Sequence, residues 1–362
     1  MTYAIILNAM SGRFRQDHIT LVVWYYNTAA NNSIMFAMCY RENGMALFRR
    51  HWNSSATSLH ARSTCSLLQA THNLKMDVDP KVPKRHNKFA VDAAIICSCF
   101  SLLNTASFGY LAFGFGISPA SSFGLCGPWY SELFCGINMI SPFFGSVACV
   151  LPVALYSLIC RSISAQFTNL SEEFDQVVNS PRPMDKTILN CFRRRHAIVC
   201  HTVEVADDVF SLFAAVMYLA NVPCGIFLLY QLFYLGSEWF YVGLTLFWLF
   251  CYFGNVSVLS YFAVQVHEKA HSLRRRVHEL QMDTFDSDLS QVQILFLARL
   301  NGPEIGMTAL GCFVITKERV LAVMSTLITF FTILLQFQGL SPSDDVTMAT
   351  TNISMTTGVY TT

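Results

Sequence analysis

Residues 239–264 read WFYVGLTLFWLFCYFGNVSVLSYFAV, 26 residues without one Asp, Glu, Lys or Arg. A helix needs about 20 residues to cross roughly 30 Å of hydrocarbon. Strands of soluble proteins rarely exceed about ten. The run therefore predicts a transmembrane helix. His267-Glu268-Lys269 and Arg274-Arg275-Arg276 follow directly, so one end of that helix meets water.

Four more stretches qualify: 89–117, 134–160, 209–234 and 320–338, with Asp92 the one charge inside them. A sixth, 19–40, is uncharged but carries Asn27, Asn31, Asn32 and Ser33 near its middle. Buried amides need partners, so that span is expected to face other helices. Residues 3–10 are apolar but too short to cross, and no basic n-region precedes them, so no cleaved signal peptide is read. Segments of about ten residues with alternating polarity, the mark of a membrane barrel, do not occur. The expected fold is all-α, a polytopic transmembrane helical bundle of six spans. A seven-span reading adds a truncated first helix within residues 1–18.

Composition agrees. The chain of 362 residues is 53% hydrophobic and 13% charged, against about 25% charged in a soluble domain. That excludes disorder, a fibrous protein and a nucleic-acid binder. A net charge of +1 provides no field to steer a polyanion. Of 24 Lys and Arg, 22 lie in three connections, 41–88, 161–208 and 265–319. The alternate connections 118–133 and 235–238, and the tail 339–362, have none. Basic loops stay in the cytosol. The chain is thus expected to be a multi-pass membrane protein whose C-terminus is extracellular. Six spans leave the N-terminus outside and seven leave it inside. Asn352-Ile353-Ser354 in the tail is a glycosylation acceptor. Thirteen cysteines, an odd number lying mostly in spans or inner loops, make no disulfide framework. For Cys126 and Cys135, near the outer face, a bridge and two free thiols are equally compatible.

Within 320–338, Ser325, Thr329, Thr332 and Gln336 fall at steps of four, three and four. They form one polar stripe on an apolar helix. Such a stripe either packs against another helix or lines a watery pore. His267-Glu268-Lys269-Ala270-His271 matches the zinc-peptidase pattern, two histidines one turn apart with a glutamate as general base. No third ligand stands at a plausible spacing, and Arg274–Arg276 would repel a dication, so neither metal nor cofactor is expected and catalysis is not the leading reading. Glu204, Asp207 and Asp208 read as interfacial charges. Segment 289–300 repeats apolar residues at helical spacing, either as a cytoplasmic anchor between subunits or as a helix on the inner membrane surface. A G-protein-coupled receptor would end in the cytosol, with an acid–arginine–aromatic signature after its third helix and Asn-Pro near its seventh, and both are missing at those places. A transporter would show repeats or charges within spans.

Thr329-Phe330, five intervening residues, then Gln336-Phe337 resembles the last-helix signature of arthropod gustatory receptors: Thr-Tyr, five hydrophobics, Gln-Phe. The approach is similar too, with Gly311-Cys312-Phe313 followed by Arg319. Weaker likeness runs back through Arg193-Arg194-Arg195-His196 to about residue 45. Phe330 stands in place of the tyrosine, and Thr332 where a hydrophobic is usual. The resemblance implies a seven-helix taste receptor acting as a ligand-gated, non-selective cation channel, a homo- or hetero-tetramer with related receptors. Its last helix, 320–338, would line the pore through Ser325, Thr329, Thr332, Gln336 and Phe337. The connection 265–319 would form the cytoplasmic anchor. The bundle 19–264 would take a small-molecule tastant between outer helix halves that carry Asn104, Tyr110, Asn138, Phe143, Asn221, Tyr230, Gln231, Trp239 and Tyr241. Asp344 and Asp345 would either concentrate cations at the mouth or belong to a solvated tail.

Enzymatic removal of N-glycans is expected to increase the gel mobility of the expressed protein through loss of the Asn352 glycan. An unchanged band would place the tail in the cytosol or leave the acceptor unused.

Overall fold

The computed structural model describes residues 81–113, 140–181, 184–234, 239–280 and 287–339, with Ala29 and Ser33 besides. Apart from Ala29 and Ser33, the span 19–40 lies outside the described residues, as do the connection 118–133, Cys126 and Cys135, and the tail with Asn352. We number the elements α1 (Lys81–Phe113), α2 (Ile140–Val178), α3 (Lys186–Tyr234), α4 (Trp239–His271), α5 (Leu273–His278), α6 (Ser287–Leu300), β1 (Thr308–Ala309), β2 (Phe313–Val314) and α7 (Lys317–Gly339). The fold is a polytopic helical bundle. α2, α3 and α4 are each long and apolar enough to cross a membrane.

Lipid offers no partner to a free N–H or C=O, so a spanning segment closes its hydrogen bonds within itself. Pro152 and Pro223 sit inside α2 and α3 without ending them. α3 has 49 residues, about 74 Å at roughly 1.5 Å per residue. That is more than twice the hydrocarbon thickness of about 30 Å. The excess lies at the basic end: most of the 161–208 connection is helix rather than loop, α2 and α3 running on as a pair joined by a short turn.

α1 packs on α2, and α4 lies against both α2 and α3. The main core joins Tyr156, Ile163 and Phe167 of α2 to Phe210, Phe213 and Met217 of α3 and Leu259 and Ala263 of α4, together with Met307 and Ile315 from the segment before α7. A second core lies wholly on the basic side. Leu170 and Phe174 of α2, Leu189 and Phe192 of α3, Leu273 and Val277 of α5, and Leu289, Val292, Phe296 and Leu300 of α6 fill it. The spacing in α6 is the helical repeat visible in the sequence. This inner layer has the rim of a soluble protein. Arg195 holds Glu173 through both carboxylate oxygens. Arg276 reaches Asp175 and also donates to Ser171 Oγ at 2.6 Å. Lys186 meets Asp288 at 2.6 Å. The outer half is the reverse: Ile96, Leu103, Leu219 and Phe250 are exposed, as lipid-facing residues should be.

Between α6 and α7 the chain makes a small antiparallel hairpin that no periodicity announced. Ala309 pairs with Phe313 and Thr308 with Val314. Leu310 (φ 53°) and Gly311 (φ 71°) make the turn in left-handed conformations. A side chain at Gly311 would meet no atom within 4 Å, so its φ alone makes glycine fit there. Gly311→Ala is expected to cost about 1 kcal/mol, lowering the melting temperature of purified receptor. Gly311→Asn should cost less, because asparagine tolerates this conformation. Equal melting of all three proteins would refute the turn.

Candidate functional site

The polar stripe of the last helix has a defined place. Thr316 caps α7, its Oγ1 accepting the Arg319 N–H at 3.4 Å. Glu318 in the first turn complements the helix dipole. Leu327 is 6% exposed, Val320 and Val323 pack on the main core, and Phe331 meets Phe233 of α3 with ring centres 5.6 Å apart. At about 100° per residue, Ser325, Thr329, Thr332 and Gln336 lie roughly 140–200° around the helix from Leu327. All four are exposed, so the stripe looks directly away from the chain's own bundle. Leu321, Ile328 and Ile333 flank it, also exposed. The Thr329 and Thr332 hydroxyls donate to Ser325 O at 3.0 Å and Thr329 O at 2.8 Å, which leaves their lone pairs outward. The side chain of Phe337 lies outside the described residues.

Of the residues expected to meet a ligand, Asn104 is 3% exposed and joins three helices. Its Nδ2 donates to Ser146 Oγ of α2 at 2.6 Å, and its Oδ1 accepts the Trp248 Nε1–H of α4 at 3.0 Å. Beside Trp248, Cys224 and Leu228 of α3 and Tyr252 of α4 form a small buried cluster. Asn221 is buried and donates to Met217 O at 2.8 Å. Tyr230 and Phe143 are half-buried, and Trp239 is 87% exposed at the start of α4, the position of an interfacial belt residue. Asn138, and the side chains of Tyr110, Gln231 and Tyr241, lie outside the described residues. Ser146 and Trp248 went unnoticed in the sequence. A mid-span indole whose N–H needs an acceptor was the available signal.

The segment 300–319 ties these helices to α7. Asp207 of α3 is not simply an interfacial charge. Its carboxylate accepts Thr308 N–H at 2.6 Å and Thr308 Oγ1–H at 2.7 Å, and Leu310 N–H reaches Ser211 O at 3.0 Å. From α4, the His267 and His271 Nδ1–H groups donate to Ile305 O at 3.0 Å and Leu300 O at 3.2 Å. His271 Nε2 accepts the Ile305 N–H at 3.4 Å. Glu268 pairs with Lys317, and Arg319 with Glu304 at 3.0 Å. The zinc-peptidase pattern is thereby accounted for as a strap. Its two histidines do share a face, but that face meets backbone, and its glutamate holds a lysine. No group of three metal-ligating residues gathers among the described residues. Glu204 is shared between His201 at 3.1 Å and Arg299 at 3.4 Å.

A second buried histidine backs the strap. His196 Nε2–H donates to Ala270 O at 3.0 Å, leaving Nδ1 to accept the Cys200 thiol at 3.4 Å. Burial pushes that thiol up to about 12, so it stays protonated. Burial, then the neighbouring His267, hold His271 below the ordinary imidazole value, and burial does the same to His196. Both bonding patterns require neutral rings.

The sign follows. The unfolded histidine titrates near about 6.5 and the folded one lower. The strap's contribution is complete above about pH 6.5 and lost as pH falls through the depressed folded value. Melting temperature is expected to fall between pH 7.5 and pH 5.5, and less so in His271→Gln, which stays neutral. An identical fall in both proteins would remove His271 from the account.

A family model described as 7tm chemosensory receptor matches residues 59–339, and that is a family of receptors rather than enzymes. No curated protein matches the chain. Among solved structures, the fold is similar to the insect olfactory receptor OR5 from Machilis hrabei in complex with eugenol. The TM-score is 0.59 at 15% identity, over 93% of this chain and 88% of that one. The structure of the same receptor described without eugenol gives 0.51 at 14% identity, over 88% of each chain.

Proposed function

Because the chain belongs to the 7tm chemosensory receptor family, we propose that it is a gustatory chemoreceptor of the plasma membrane acting as a ligand-gated, non-selective cation channel. The observation that carries the reading is the outward stripe of α7. A row of hydroxyls and an amide facing lipid would be unfavourable. Copies of the chain arranged about an axis, four in this reading, would turn Ser325, Thr329, Thr332 and Gln336 onto a shared water-filled lumen, with Leu321, Ile328 and Ile333 making the seams. α7 carries no carboxylate beyond Glu318 at its inner end, so the lumen has little means to discriminate among cations. The exposed Ile294 and Leu295 of α6 suit the cytosolic seam between subunits.

The ligand is a small organic molecule, taken up in the outer half near Asn104, Trp248, Tyr252 and Cys224. Apolar walls with a few fixed polar groups suit such a molecule, and the Machilis receptor of the same fold holds eugenol. Ligand binding there shifts α3 or α4, and the strap passes the shift to α7. Orientation follows the basic connections, with the strap in the cytosol and the tail outside. The taste assignment rests on the Thr329-Phe330 to Gln336-Phe337 signature.

Whole-cell currents test this. Gln336→Ala is expected to change unitary conductance or cation preference while surface expression stays the same. Currents identical to wild type would take Gln336 out of the pore.

A further inference from the structure

On the cytosolic side, a cleft of about 470 Å³ opens between the α4–α5 junction and the end of α6. His271, Arg274, Arg275, His278, Glu279 and Asn301 line it. The only carboxylate among these is already taken: Glu279 Oε1 accepts Arg275 Nε–H at 2.7 Å. The guanidinium ends of Arg275 keep their remaining N–H groups. Arg274 is exposed and makes no ion pair among the described residues. The third member of the run, Arg276, turns the other way onto Asp175 and Ser171. The Arg274-Arg275-Arg276 triplet is thus divided, one arginine paired on the rim of the inner core and two beside an open cavity. His278 and the Asn301 amide complete the wall, while both ring nitrogens of His271 are already engaged by the strap.

We propose that this cleft binds a compact, multiply charged phosphate ester. Guanidinium groups meet phosphate oxygens with paired, charge-assisted hydrogen bonds, and the volume suits a phosphorylated polyol rather than a polymer. The place fits the inner membrane surface. His271 lies seven residues past the span that ends at 264, about 10 Å further on at roughly 1.5 Å per residue. The headgroup zone extends about 5–7 Å beyond the hydrocarbon on each side. A phosphorylated lipid headgroup reaching down and a soluble phosphate ester reaching up present the same chemistry here. Asn301 and His271 connect the cleft to the strap before α7, so an occupant would brace that strap.

The test uses the full-length receptor in phosphatidylcholine nanodiscs titrated with inositol 1,4,5-trisphosphate. In parallel, native mass spectrometry follows receptor from nanodiscs containing phosphatidylinositol 4,5-bisphosphate. The expected result is saturable binding, weakened about tenfold or more in R274Q/R275Q. R194Q, which removes an exposed charge of α3 outside the cleft, should leave it unchanged. Binding of the soluble ester without lipid retention supports a cytosolic ligand. Lipid retention, alone or displaced by the soluble ester, supports a headgroup. If the double variant does not fold, Arg274→Gln alone carries the comparison, since that side chain pairs with no described residue. Binding of neither probe, or equal loss in R194Q and the cleft variants, would overturn the proposal. Each outcome is read without channel currents, so it stands apart from the pore reading.

Discussion

Hydrocarbon leaves a polypeptide one economical way to satisfy its backbone in a chain of this pattern, the helix, and everything else in the molecule follows from that requirement. Helices that must exist in lipid do not have to stop at its edge. α2 and α3 continue far past it, and their inner halves then face a second problem, solvation by water. They solve it as a soluble protein does. An apolar core of Leu170, Phe174, Phe192, Phe296 and their neighbours is rimmed by ion pairs such as Arg195–Glu173. One chain therefore carries two solvation regimes stacked end to end, apolar-out above and apolar-in below.

The segment between α6 and α7 sits where the two regimes meet. It is held from α3 by Asp207 and from α4 by His267 and His271. Backbone groups supply most of its partners. That makes the connection stiff, because a carbonyl fixed in a turn cannot rotate away as a side chain can. The arrangement couples the inner ends of two bundle helices to the start of the helix whose polar face looks outward.

The sequence alone revealed the helical spans, the asymmetry of charge, the repeat in α6 and the polar stripe, because each is a local periodic property read along one helix. Three features escaped it. Asn104 stood out as an amide in a span, but its meeting with Ser146 and Trp248 joins residues 42 and 144 positions away. The hairpin at 308–314 is too short to show a period of two. The 161–208 connection was charged enough to resemble a loop, yet its charges sit on helices that have left the membrane.

The histidine pair shows where the boundary falls. That His267 and His271 share a face was fixed by their spacing, since residues one turn apart on a helix must do so. That the face meets the carbonyls of Leu300 and Ile305 instead of a metal was decided by the path of the chain some thirty residues later. The same division holds for α7. Its sequence determined that four polar side chains lie in a row. Only the burial of Leu327 against the bundle decided that the row points away from it. A helix carries its own periodicity, but which side is inside depends on the neighbour it packs against.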